Sequence, residues 1–512
     1  MYRDEIIMKP TISTLGELRR NAYEHVSVKE EMRRNVIRKI RAHETLFPGI
    51  VGFDDTVIPQ IVNAMLAKHD MLLLGLRGQA KTRIARQMVN FLDEYIPVVV
   101  GSEINDSPLH PVSAYARKQC EDFNDDVRIE WVHRSERYGE KLATPDVTVA
   151  DLIGDIDPIK ASAKRLSYAD EAAIHFGIVP RSNRGVFAIN ELPDLQPRIQ
   201  VALFNILQER DIQIRGFNLR LPLDVCLVFT ANPEDYTRRG SIITPLKDRI
   251  ESQILTHYPK TMEEGLVILN ENAWIDREGT GKIHVPLFMK QVVETVAMCA
   301  RSSDYIDQSS GVSARLTISV MESLVSNCER RSLLTGDDTS VPRMIDFQHA
   351  LSGITGKIEL VVEGEREGLT QVAKALIGRA AREVFVLWFP DPLLRRRRSG
   401  EQKSPDPYAA VMKYFADGNS ITLSDILSTQ DALAELDKVP TLRDLANNFL
   451  GVQSDEPAVL VSAMEFILEA LHHHSKIAKD EADGLASFKD MVGSMLGKGY
   501  GSSEDSMDED FS

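Results

Sequence analysis

The sequence predicts an α/β protein: a largely parallel sheet flanked by helices, followed by regions that are helical throughout. Three observations predict it. From Phe47 to about Thr256, short β-rich runs alternate with helical stretches, the pattern of strand–helix–strand units. One of those runs, MLLLG at 71–75, passes through a short loop into the amphipathic stretch RIARQMVNFLDEY. Beyond Tyr258, apolar residues recur at helical spacing.

Taken in order, residues 1–46 form an N-terminal helical segment. Charged residues with apolar ones at helical spacing over 12–46 predict one or two amphipathic helices there. Residues 47–257 form the α/β domain, with strands expected in DMLLLG, PVVVG, RIEWVH, GVFAIN, VCLVFT and SQILT. Residues 258–360 carry four striped helical segments, and 361–394 a helical extension. A basic linker, RRRRSGEQKSPDP, covers 395–407, where no apolar period survives. A last helical region covers 408–497. The acidic, serine-rich tail, 498–512, is expected to be disordered.

Composition narrows the function classes. The 512 residues allow three or four domains, and 43% hydrophobic with 27% charged content is that of a globular chain. The net charge of -16 gives no general attraction to nucleic acid, which is not expected as a partner. Four widely spaced cysteines, with no Cys-x-x-Cys pair, argue for buried free thiols rather than a zinc module or disulfide framework. The opening MYRDEIIMKPTIST lacks a basic region followed by an apolar core, and no apolar run approaches the roughly 20 residues of a membrane helix. A cytoplasmic protein without membrane insertion is expected.

The chemistry is concentrated in five places. GLRGQAKTR (75–83) has the spacing of a phosphate-binding loop, Gly-x4-Gly-Lys-Thr, with Ala80 at the second glycine. In such a turn, backbone N–H groups and the helix N-terminus face the phosphates. Lys81 would meet the β- and γ-phosphates and the Thr82 hydroxyl a Mg²⁺ ion, with Gly75, Leu76, Arg77, Gly78, Gln79, Ala80 and Arg83 completing the cradle. The methyl of Ala80 is tolerable if the backbone there avoids positive φ. Second, the strand GVFAIN ends in Asn190-Glu191, where a phosphate-loop ATPase carries Asp-Glu. Glu191 is the candidate base for the attacking water. Asn190 stands where a carboxylate would hold the hydrated metal, and its amide oxygen accepts a hydrogen bond but brings no charge. Third, VCLVFTAN ends in Asn232, able to bond the γ-phosphate or the attacking water. Fourth, PLKDRIE carries Arg249, a candidate for projection into a neighbouring subunit's site. Fifth, GVSARLT carries Arg315 at the start of a helix, a candidate for the same phosphate.

This ordered set resembles an AAA+ ATPase, and more narrowly the magnesium-chelatase ATPase subunit and its MoxR relatives, over roughly residues 47–350. FPGIVGFDDTVIPQIVNAML is similar to the family's opening segment, and the resemblance implies that Ile50, Val51 and Gly52 lie near adenine. MoxR-type loops also place Ala before the Lys. VTVADLIGDIDPIKA with HFGIVPRSNRGVFAINE resembles the chelatase insertion in the second helix. DIQIRGFNLRLPLD (211–224) alternates around Gly216 as a β-hairpin does. The resemblance implies an α/β AAA+ core with an all-α lid and an all-α C-terminal region. It further implies ATP and Mg²⁺ as ligands, a homo-oligomeric ring, commonly a hexamer, and remodelling of a partner protein that often carries a von Willebrand factor A domain. Asn190 departs from the family's pattern. It keeps open a second reading, a nucleotide-binding scaffold or switch with little hydrolysis. A metal-chelatase motor and a transcription activator are further alternatives; the second lacks its Gly-Ala-Phe-Thr-Gly-Ala loop in 148–185.

Two other features read as structural. His472-His473-His474 is expected on a solvated helix face, since adjacent histidines diverge around a helix. Arg395–Arg398 is expected to be a solvated spacer.

Overall fold

The computed structural model describes residues 9–157, 159, 171–214, 220–233, 240–278, 281–393, 406–453, 455–482 and 484–491. Most of the expected basic linker, the tail at 498–512 and Gly216 at the hairpin tip lie outside the described residues. The chain divides into two compact units, Met1–Tyr258 and Pro259–Ser512.

The first unit is built on a five-stranded sheet: β1 (Met71–Leu74), β2 (Tyr138–Leu142), β3 (Gly185–Asn190), β4 (Val225–Ala231) and β5 (Ser252–Leu255), in the spatial order β5-β1-β4-β3-β2. Every pairing is parallel. Parallel strands covered on both faces read as unbroken apolar runs, and β1, β3 and β4 are buried along their whole length. Alternate residues serve the two faces. Leu72, Leu74, Phe187, Ile189, Leu227 and Phe229 join one core, whereas Met71, Leu73, Val186, Ala188, Cys226 and Val228 join the other.

Two of the expected strands lie elsewhere. PVVVG and RIEWVH supply Tyr95–Val99 and Ile129–His133, which pair antiparallel as a separate ribbon. The sheet's edge is instead β2, from RYGEKL, a segment outside the expected strands. As an edge strand it is only half-buried, with Leu142 54% exposed, so it has no apolar run to betray it. The expected hairpin is present in its two arms, Asp211–Gln213 against Arg220–Pro222. In the insertion, Gly154–Ile156 pairs antiparallel with Ile174–Phe176.

The N-terminal segment makes two helices, Leu15–Arg20 and α1 (Val28–Arg41), each opened by a hydroxyl cap, Thr14 or Ser27. Helix α1 is an integral part of the unit. Val28, Met32 and Val36 share a core with β1 and β4. Glu31 meets Arg137 through two 2.7 Å hydrogen bonds, with both side chains almost fully buried. Lys29 reaches the buried Asp70 at 2.7 Å.

In the second unit one hydrophobic core runs from Leu269 to Phe488. Following α2 (Lys81–Gln87) and α3 (Thr244–Arg249) of the first unit in chain order, α4 (Arg315–Thr335), α5 (Leu369–Trp388) and α6 (Pro457–His473) share it. This unit is mainly helical. It also carries a three-stranded antiparallel sheet, Ile421–Ser424, Leu485–Lys489 and Ala478–Ala482, and a short parallel pair, Lys282–Ile283 with Thr339–Ser340. These strands add to the all-α expectation; they are short, and their alternation is too brief to stand out. The histidine run is not on a solvated face. Helix α6 is buried around its whole circumference, including Glu465 and Glu469. His473 Nε2 lies 3.0 Å from Glu469 Oε1, His472 Nδ1 lies 3.2 Å from the Ile477 carbonyl, and His474 is 5% exposed.

The Glu31–Arg137 pair generates a stability test. Glu31→Ala leaves a guanidinium buried without its carboxylate. The expected loss is about 3–5 kcal/mol, read as a lowered urea midpoint. A change below about 1 kcal/mol, the scale of an exposed pair, would mean that water reaches Arg137.

Candidate functional site

The C-terminal ends of parallel strands are where ligands bind in α/β sheets, and the sequence's candidates gather there. After β1 the loop 75–80 turns into α2 (Lys81–Gln87). Gly75 is required by space, because a Cβ would collide with Thr256 and Gln79. Thr256, just past β5, donates to Gln79 Oε1 at 2.7 Å, and the Tyr258 hydroxyl donates to the Arg77 carbonyl at 2.8 Å, so the loop is braced from the sheet's edge. Leu76 is half-buried, Gly78 has φ 72°, and Arg77 and Arg83 are exposed.

Ala80 corrects an expectation. Its φ is 57°, in the left-handed region, so the backbone does not avoid positive φ. The turn into α2 needs that conformation whichever residue supplies it, and a non-glycine residue there stores of order 1–3 kcal/mol of strain. Glu191 is also left-handed, φ 54° and ψ 50°, where β3 breaks into its following turn. These two lie in the site; other left-handed non-glycine residues, such as His43, Lys68 and Thr441, lie in turns elsewhere.

Lys81 is 6% exposed. Its ammonium donates to the Gly75 carbonyl, to the Leu76 carbonyl at 3.0 Å and to Asn232 Oδ1 at 2.7 Å. The Asn232 amide nitrogen then donates to Glu191 Oε2 at 3.1 Å. Lys81, Asn232 and Glu191, on three different elements, therefore form one chain of hydrogen bonds. Beside it, Thr82 Oγ1 lies 3.5 Å from Asn190 Oδ1, which also accepts from Thr230 Oγ1 at 3.1 Å. Thr230 Oγ1 in turn accepts the Glu191 backbone N–H at 3.2 Å, fixing the strand end.

Glu140 was not legible in the sequence. It stands on β2, opposite Ala188 of β3, and its Oε1 accepts from Asn190 Nδ2 at 2.7 Å. Arg86 of α2 binds the same carboxylate through two bonds, at 2.8 and 3.0 Å, and Tyr138 adds a third donor at 3.2 Å. The Arg86 hydrogen bond holds its carboxyl below the usual range. Only recognition of RYGEKL as a strand next to GVFAIN would have found it.

The other candidates lie on other segments of the chain. Ile50 is buried and Val51 and Gly52 half-buried in the segment before Phe53, where Gln87 of α2 donates to the Pro48 carbonyl at 2.9 Å. Arg249 ends α3 (Thr244–Arg249). Its Nε donates to Gln208 Oε1 at 3.0 Å, its Nη1 to the Pro245 carbonyl at 2.7 Å, and its guanidinium lies 4.6 Å from the centre of the Phe204 ring. Those partners, and not Lys81 or Glu191, hold it within its own chain. Arg315 is the exposed first residue of α4, in the second unit.

Loop, buried lysine, hydroxyl and two strand-end polar residues on a parallel sheet of order β5-β1-β4-β3-β2 make this an α/β P-loop core of AAA+ type, in a chain whose second unit is mainly helical. No family model matches the chain. Solved structures that are similar include NtrX from Brucella abortus, at 14% identity and TM-score 0.30, over 63% of this chain and 56% of that one. A complex of the BchI and BchD subunits of magnesium chelatase matches at 18% identity and TM-score 0.33, over 63% of this chain and 98% of that one. Hsp104 with ATPγS and casein matches at 13% identity and TM-score 0.34, over 61% and 49%. The chain thus spans about half the length of NtrX and of Hsp104. At such scores these likenesses carry no conclusion about activity or partners. Among the described residues no helix is long and apolar enough to cross a membrane.

The buried ammonium gives a direct test of the site. Lys81→Ala should abolish ATP binding in calorimetry, with some loss of melting temperature from the buried acceptors left unpaired. Unchanged affinity would move the nucleotide site elsewhere.

Proposed function

We propose that the chain is an ATPase of the MoxR and magnesium-chelatase kind, which works as a ring and couples ATP binding and hydrolysis to remodelling of a partner protein. The observation that carries this reading is the hydrogen-bonded chain Lys81–Asn232–Glu191 at the ends of β1, β4 and β3. Phosphates entering the loop compete with Asn232 for the Lys81 ammonium. Asn232, once released, no longer ties down the Glu191 carboxylate, which is then able to orient water and take its proton. The water oxygen bonds to the γ-phosphorus as the bond to the bridging β–γ oxygen breaks, giving ADP and inorganic phosphate.

Thr82 and Asn190 present oxygens side by side, a donor set that suits a hard cation such as Mg²⁺. Bound there, Mg²⁺ offsets the phosphates' charge. Ile50, Val51 and Gly52 are assigned to the adenine side, and Gly75 to Arg83 to the phosphates. Arg249 is assigned to the neighbouring copy's site, to which its half-buried guanidinium turns from Phe204 and Gln208 when subunits meet. Arg315, the first residue of α4, is assigned the phosphate-binding role that the sequence resemblance implies. The resemblance assigns the hairpin arms, Asp211–Gln213 and Arg220–Pro222, and the strand pair Gly154–Ile156 with Ile174–Phe176 to the pore or the partner, a protein with a von Willebrand factor A domain being the expected class.

Asn190 favours a second reading. A neutral amide at the metal position lowers metal affinity, as a slow or silent nucleotide switch would need.

The first measurement is phosphate release with Mg-ATP, wild type beside Glu191→Gln. The variant should bind ATP normally and turn over about 10²–10⁴-fold more slowly. Binding by both with turnover by neither, at concentrations where rings assemble, would select the switch reading. Arg249→Ala should bind ATP as isolated subunits yet lose about 10³-fold or more in turnover. Full turnover would remove Arg249 from the finger role.

A further inference from the structure

The amide at position 190 has two ends, and the surrounding groups decide which end faces Thr82. Asn190 Nδ2 donates to Glu140 at 2.7 Å, and Asn190 Oδ1 therefore faces the hydroxyls of Thr82 and Thr230, at 3.5 and 3.1 Å. Rotating the amide by half a turn would put its oxygen against the Glu140 carboxylate and its NH₂ toward Thr82. The first contact is repulsive, and the second would present hydrogens where a cation needs an oxygen.

We propose that Glu140 is a positioning residue for Mg²⁺: by holding Asn190 Nδ2 it locks the amide oxygen toward Thr82, so that Asn190 and Glu140 together replace the single carboxylate absent from the end of β3. The proposal rests on the reading of this site as one for Mg-ATP. Three features of the geometry carry it. Glu140 lies on the strand next to β3, so the backbone ladder sets the distance between the two side chains. Its carboxylate is clamped by Arg86, four residues after Thr82 on the same face of α2, so hydroxyl and clamp move as one body. The carboxylate also polarises the amide it binds, adding electron density to the oxygen at the far end. The strand-end amide thus acts as an oriented, charge-assisted oxygen donor.

The test separates metal from nucleotide. ATP affinity is measured by calorimetry in EDTA and then across a Mg²⁺ titration, for wild type, Glu140→Gln, Glu140→Leu, and Glu140→Leu combined with Asn190→Asp. In EDTA all four should bind alike. Glu140→Leu should raise the Mg²⁺ midpoint by about 10–100-fold, the usual effect of losing a residue that orients a ligand. Glu140→Gln, which keeps a weaker acceptor, should fall between. Asn190→Asp should bring the midpoint of Glu140→Leu back toward wild type, because a carboxylate presents oxygen in either orientation. A merely structural Glu140 would not be rescued at position 190. An unmoved midpoint in both single variants, or failure of the rescue, overturns the proposal while leaving the nucleotide site standing. Absence of ATP binding by the wild type at every Mg²⁺ concentration overturns both.

Discussion

Parallel pairing of β1 with β4 is the constraint on which the site depends. Leu74 stands opposite Ala231, so Gly75 and Asn232 leave the sheet at the same level, and Gly75 N–H bonds the Ala231 carbonyl at 3.1 Å. The loop then turns back far enough for Lys81 to reach carbonyls at its own start and the amide beyond β4 at once. A slip of one residue would turn every side chain of the strand to the opposite face. It would also carry Asn232 away from both Lys81 and Glu191. The register is protected by burial, since β1, β3 and β4 feed two cores with alternate residues.

The opposite end of the sheet is secured by charge. Asp70, fully buried just before β1, accepts the Leu227 N–H at 2.8 Å and meets Lys29 at 2.7 Å and Arg210 at 2.6 Å. One carboxylate thereby ties together β1, β4, α1 and the turn before the hairpin. The same economy recurs in the second unit, where Asp346 meets Arg331 at 2.6 Å and Glu465 meets Arg343 at 2.8 Å, all four side chains buried. In both units, buried carboxylates hold elements whose apolar faces alone would leave their relative slide undetermined.

Two of the left-handed non-glycine residues among those described lie where chemistry is proposed. Ala80 and Glu191 are both left-handed, one entering α2 and the other leaving β3. Rigid neighbours sustain each: Thr256 and Tyr258 brace the loop, and Thr230 holds the Glu191 N–H. Such positions persist only when their surroundings over-determine them.

The sequence by itself determined the central strands, the phosphate loop and the polar residues at the strand ends. These are local patterns: an apolar run buried on both faces and a turn at fixed spacing are written in consecutive residues. Lys81, Asn190, Glu191 and Asn232 were legible for that reason. Only the tertiary structure decided what those residues touch. The edge strand carrying Glu140 has no apolar run, and PVVVG and RIEWVH have the composition of strands without saying which sheet they join. The orientation of the Asn190 amide depends on a carboxylate fifty positions away, and the seat of Arg249 on a ring 45 positions earlier. The histidines of α6 are buried because a helix surrounded on every side shows no polar stripe. Pairing between distant segments is a property of packing, and no window of neighbouring residues contains it.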